Sequence, residues 1–160
     1  MYSYIIGVTI FTHSGPTADA REYFSRVESL RLRIASKSIP IEKFVARKAR
    51  KFQSQSNYLF APVLELIYTC GVMRIICTHG SELLLTLDKE EAELKKQYAG
   101  RSVPNDVHSL NTRRRHPYVA DDRCLALLLR GAILREIGRV SEAIEVLSRL
   151  TKESVRLVLQ

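Results

Sequence analysis

Glycine and alanine recur in this chain at matched distances inside two apolar windows. Leu127, Gly131, Leu134, Gly138, Ala143 and Leu147 form the later window, and Gly7, Ile10, Gly15, Ala20 and Phe24 repeat its order near the start. Gly131 to Ala143 spans 12 positions and Gly7 to Ala20 spans 13, so the earlier window carries one extra turn residue. Glycine inside an apolar helix is unfavourable relative to alanine, so its recurrence there needs a structural reason. Apolar residues three and four apart describe one helix face, and Gly15 and Gly138 punctuate the turns between helices. Each window therefore reads as two helices and a tight turn. Gly7 or Gly131 on the first helix lets the second approach closely, Ala20 or Ala143 is the matching small residue, and Phe24 or Leu147 fills the gap towards the next hairpin. One hairpin cannot bury its apolar face alone, so neighbours must stack.

The rest of the chain supports helices. Glycine (7) and proline (5) are scarce and tryptophan is absent, which favours long helices over a many-stranded sandwich. Hydrophobic residues at 46% and charged residues at 26% are globular values. The first helix is expected over residues 2–13, stopped by Gly15-Pro16. Thr17 caps the second, whose stripe is Ala20, Tyr23, Phe24, Val27 and Leu30. Pro40 suits the first turn of a third helix, with Ile41, Phe44, Val45 and Phe52 inward and Lys43, Arg47, Lys48, Arg50 and Lys51 towards water. A fourth helix is expected over 62–76, with Gly71 a weak point inside it, and a fifth from Ser81 to 99. Residues 100–118 contain Gly100, Pro104, Asn105, Asp106, Asn111 and Pro117 and read as an irregular loop. A sixth helix follows over 121–137 and a seventh from Ser141 to 150 or beyond. The whole, residues 1–160, reads as one domain.

The small and large positions of the two windows resemble those of a tetratricopeptide repeat (TPR). The expected fold is thus all-α, with antiparallel helix hairpins stacked as a TPR-like right-handed superhelix segment. A closer likeness lies in the run from Lys37 through Ser38-Ile39-Pro40 and Ala46-Arg47-Lys48-Ala49-Arg50-Lys51. Leu64-Glu65-Leu66-Ile67-Tyr68 and Asp121-Asp122-Arg123-Cys124-Leu125 extend it. In order and spacing these blocks resemble the C-terminal half of the tetratricopeptide repeat protein 39 family, which includes the fungal inclusion body clearance proteins. After Tyr68 the family tends to carry an aromatic residue and an Asn before Gly, whereas here the run is Thr69-Cys70-Gly71. Family members are much longer, and this chain starts inside one hairpin and ends in an apolar stretch, 155–159, with no polar cap. A shortened member is the expectation. The resemblance implies a protein-binding scaffold linked to inclusion-body handling and to lipid-droplet proteins, in the cytosol or nucleus.

Charge adds a second theme. Against 17 acidic residues stand 25 lysines and arginines, a formal +8. Such a field attracts acidic proteins, nucleic acid or anionic membrane. Two basic groups are candidate partner contacts: Arg47, Lys48, Arg50 and Lys51 on the third helix, and Arg113, Arg114 and Arg115 beside His116 in the irregular region. A basic adaptor on nucleic acid or anionic membrane is the alternative reading. No nucleic-acid motif or interleaved aromatic platform accompanies the arginines, so specific nucleic-acid binding is not expected.

Catalysis is not expected either. His13, His79, His108 and His116 stand apart, none with a nucleophile or carboxylate at motif spacing. Cys70, Cys77 and Cys124 form no CxxC pair, and an odd number does not make a disulfide framework. Their apolar neighbours predict buried small hydrophobes in a reducing compartment, with Cys70 and Cys77 able to share a helix face. No metal site, cofactor or glycine-rich phosphate loop is indicated. Residues 60–77 approach membrane-spanning length but contain Pro62, Glu65 and Arg74, so a core helix is expected rather than a span.

Overall fold

Thr17 makes the first turn of the chain into a hairpin. Helix α1 (Tyr2–Ser14) ends at Gly15, and the Thr17 hydroxyl accepts the Ala20 N–H at 3.2 Å to open α2 (Ala18–Ser29). Asp19 stands in that first turn, where the helix dipole favours a carboxylate. The computed structural model describes residues 1–30, 33–34, 37–99 and 118–158. By packing, the chain divides into two compact units, Met1–Val63 and Leu64–Gln160.

In the first unit α1 and α2 pack as a hairpin, and α3 (Pro40–Ser54) packs against α2. Pro40 occupies the first turn of α3, where its missing N–H costs no intrahelical bond. Between α2 and α3, β1 (Arg33–Ile34) pairs antiparallel with β2 (Lys37–Ser38), two residues on each side. An aromatic chain fills the unit. Phe24 meets Tyr4 edge-on at 5.6 Å and lies 4.1 Å from Phe52, while Phe11 meets Phe52 at 5.6 Å and Tyr58 at 6.2 Å. Val45 and Ala46 of α3 are fully buried beside Ala49. Leu30, expected on the inner stripe, is 55% exposed because the helix stops at Ser29 and Leu30 is its C-terminal cap.

The expected fourth helix is divided. Residues 62–76 do not form one helix: α4 (Pro62–Thr69) stops, and α5 (Met73–Ile76) begins after a break. Gly71 adopts φ +73°, its N–H bonds to the Tyr68 carbonyl and the Val72 N–H reaches back to Ile67. That left-handed residue closes a helix rather than weakening one, as glycine most readily can. A 3-10 turn (Cys77–His79) then leads directly into α6 (Gly80–Ala99). The loop expected over 100–118 lies outside the described residues except for Tyr118. Helix α7 (Val119–Glu136) follows and hairpins with α8 (Val140–Val158). Gly138, at φ +81°, makes the turn, with the Arg139 N–H returning to the Leu134 carbonyl at 2.9 Å.

Helix α7 packs against α8 on one side and α6 on another. Leu134, Ala143 and Val146 form a buried cluster against which Leu84, Leu127 and Ile137 lie. This double engagement explains why α7 is apolar on most sides: Leu129 and Ile133 are fully buried, and Leu125, Leu127 and Leu128 are half-buried. The fold is all-α and TPR-like, apart from the two-residue ladder.

Candidate functional site

The small residues of the two windows sit at helix contacts. A Cβ on Gly7 would lie 3.4 Å from the Phe24 ring, and one on Gly131 only 2.6 Å from both Cγ and a methyl of Leu147. Phe24 and Leu147 thus cover the glycine of their own hairpin, and Phe24 also packs on Phe52 of α3. Ala20 is fully buried and Ala143 is 3% exposed. A third such contact was not foreseen. Gly80 begins α6, where a Cβ would stand 2.0 Å from Cγ2 of Ile137. Its partner lies 57 positions away, so no local spacing marks it. These contacts hold the helices close and fix the surfaces their outer faces present.

One such surface is the basic face of α3. Arg47 and Arg50 are exposed, with Lys43 one turn before Arg47. Arg50 lies 4.0 Å from Glu28 of α2. Lys48 and Lys51 do not simply face water as expected. Both are half-buried, and the Lys48 ammonium sits over the Phe44 ring at 5.9 Å, its stem covering apolar surface. Two of the four expected contacts are therefore partly engaged within the unit. Arg113, Arg114 and Arg115 lie outside the described residues.

The second unit holds a groove of about 500 Å³ between α6, α7 and α8. Leu94 and Ala126 form its buried floor, with Val119 and Leu127 half-buried beside them. Among the described residues, Lys95, Arg123 and Arg149 bring three cations to it and Glu91 one carboxylate. Glu91 is already engaged: Arg130 of α7 reaches it at 2.7 Å and Asp88 at 2.5 Å. Burial opposes the Arg130 charge, but the hydrogen bonds to Glu91 and Asp88 outweigh it and raise the guanidinium above its ordinary range. The pair ties α6 to α7 with the Arg130 side chain only 24% exposed. Replacing Arg130 with Met should lower the stability of this unit by about 1.5–3 kcal/mol, because two charge-assisted bonds go and Glu91 and Asp88 lose the guanidinium that joins them to α7. Urea denaturation followed by helical circular dichroism measures it; an unchanged midpoint would show the bridge to be solvent-screened.

The cysteines correct the expectation of buried core. Cys70 is exposed at the break after α4, and Cys77 and Cys124 are half-buried. Cys70 and Cys77 belong to no common helix, because Gly71 separates them. Burial, then Glu136, pushes the Cys77 thiol above its usual range, and burial, then Glu153 and Asp121, does so for Cys124. Neither is poised as a thiolate. His13 and His79 are exposed, the latter 3.5 Å from Glu82, while His108 and His116 lie outside the described residues. No group of three or more potential metal ligands gathers among the described residues. No single described helix is long and apolar enough to cross a membrane; α4 taken with Met73–Lys96 has the composition, but the two are bent by 118°.

The family described as Iml2/Tetratricopeptide repeat protein 39 matches residues 1–137. A curated relative, tetratricopeptide repeat protein ttc-39B of Caenorhabditis elegans, is 29% identical over 120 residues, 75% of this chain. The chain spans 18% of that relative's length. No solved structure matches.

Proposed function

The chain belongs to the Iml2/tetratricopeptide repeat protein 39 family, and on that premise we propose that it is a non-enzymatic protein-interaction scaffold. The supporting observation is the hairpin α7–α8, where Gly131 lies under Leu147 and α6 is tied on by Arg130. A groove framed by three interlocked helices binds without having to order itself first, which lowers the cost of association. Resemblance to the fungal inclusion body clearance proteins supports the finer proposal, that the partners belong to inclusion-body handling and the lipid-droplet surface and are met in the cytosol or nucleus.

Affinity capture on the immobilised chain at about 150 mM salt, where exposed long-range charge is largely screened, tests the scaffold. The expected result is a protein partner that rebinds in purified form with saturable stoichiometry. Recovery of nucleic acid alone, or of nothing that rebinds, would overturn the reading.

A further inference from the structure

Lys95 and Arg149 are exposed, line the groove between α6, α7 and α8, and form no ion pair among the described residues. Arg123, the third cation, is only loosely shared with Glu153 at 3.6 Å. Among the described lining residues the carboxylate is Glu91, and it is paired with Arg130, which it shares with Asp88. Among the described residues the rim is therefore net positive, and the floor under it, Leu94, Ala126 and Leu127, is apolar. A volume of about 500 Å³ suits one large side chain with its flanking backbone.

We propose that this groove receives an acidic peptide segment of a partner protein. One apolar side chain seats on the Leu94–Ala126–Leu127 floor, and carboxylates on either side of it meet Lys95 and Arg149. The apolar contact supplies the anchor, and the rim charges select an acidic partner and speed its approach. Single-stranded nucleic acid is a poorer match because none of the described lining residues is aromatic, so they offer bases no stacking platform. A bilayer is poorer too, since lipid headgroups present a broad plane and the apolar floor is recessed. The inference rests on the scaffold reading and adds to it a place and a ligand chemistry.

The test uses the purified 160-residue chain and a fluorescein-labelled nonapeptide of glutamates around one central leucine, followed by anisotropy. Saturable binding is expected. The double variant Lys95→Glu/Arg149→Glu should weaken it about tenfold or more and flatten its salt dependence. Serine in place of the central leucine should weaken it comparably. Arg21→Glu, a charge reversal at an exposed position on α2, should leave affinity within about twofold and so serves as the control for bulk charge. The inference fails if the peptide does not bind, if the double variant binds like the parent, if leucine is dispensable, or if Arg21→Glu weakens binding equally. It also fails if phosphatidylserine vesicles or polyuridylate compete for the parent protein more strongly than unlabelled peptide. Helical circular dichroism of the variants, all at exposed positions, confirms that folding is retained. A captured partner that binds the double variant undiminished would remove the groove and leave the scaffold standing; absence of any partner removes the scaffold.

Discussion

Gly131→Val should destabilise the Leu64–Gln160 unit by about 3 kcal/mol or more, enough to unfold much of it at ambient temperature. The Cβ alone would stand 2.6 Å from Leu147 Cγ, and valine adds two further methyls to the same crowded interface. Cγ is the branch point of leucine, not its flexible end, so it moves aside only if χ1 leaves its rotamer well or α8 itself moves. The contest is sharper for Gly131→Ala. Alanine gains about 1 kcal/mol of helix propensity over glycine, while the clash costs about 1–3 kcal/mol. The clash should win here, because the side of α8 that meets α7 is also seated by Ala143 and Val146. Leu147→Ala supplies the decisive comparison. By itself it should destabilise by about 2 kcal/mol, but combined with Gly131→Ala it should cost less than the sum of the two. Chemical denaturation of the four proteins gives the coupling energy, expected at about 1 kcal/mol or above and favourable. Strict additivity would mean that Gly131 and Leu147 do not constrain one another.

Much of this hairpin was legible because both partners lie within one repeat. Gly131, Gly138 and Ala143 are spaced by the helix period and by a short turn, and those are local quantities that a sequence displays directly. The cap at Thr17 and the proline at the head of α3 were legible for the same reason. Long-range contacts were not. Gly80 resembles a turn glycine by its neighbours, and only the approach of Ile137 reveals that space is what the position supplies. The groove of the second unit needs Lys95, Arg123 and Arg149 from three helices, with no spacing rule connecting them. Lys48 shows a related limit: its charge predicts exposure, but its methylene stem finds the Phe44 ring. At Gly71 the apolar run hid the break, since hydrophobicity continues through a left-handed residue that the backbone cannot helically cross.

Phe24→Ala is expected to lower the stability of the Met1–Val63 unit by about 3–5 kcal/mol. Phe24 is 1% exposed and serves three contacts at once: it covers Gly7 of α1, meets Tyr4 edge-on and lies against Phe52 of α3. Deleting the ring therefore opens a cavity shared by all three helices, and no neighbouring side chain can fill it. Tyr4 is fully buried and already engaged with Phe44, and Phe52 is fully buried against Phe11. The surrounding rings also lose their aromatic partner, beyond the area removed from water. Phe24→Leu retains much of the volume but not the ring geometry, so a cost of about 1–2 kcal/mol separates packing from aromatic contact. Amide hydrogen exchange resolved by residue is the suitable measurement, with the amides of α1, α2 and α3 losing protection together. Loss confined to α2, or a change below about 1 kcal/mol for the alanine variant, would mean that Phe24 fills space without joining the three helices.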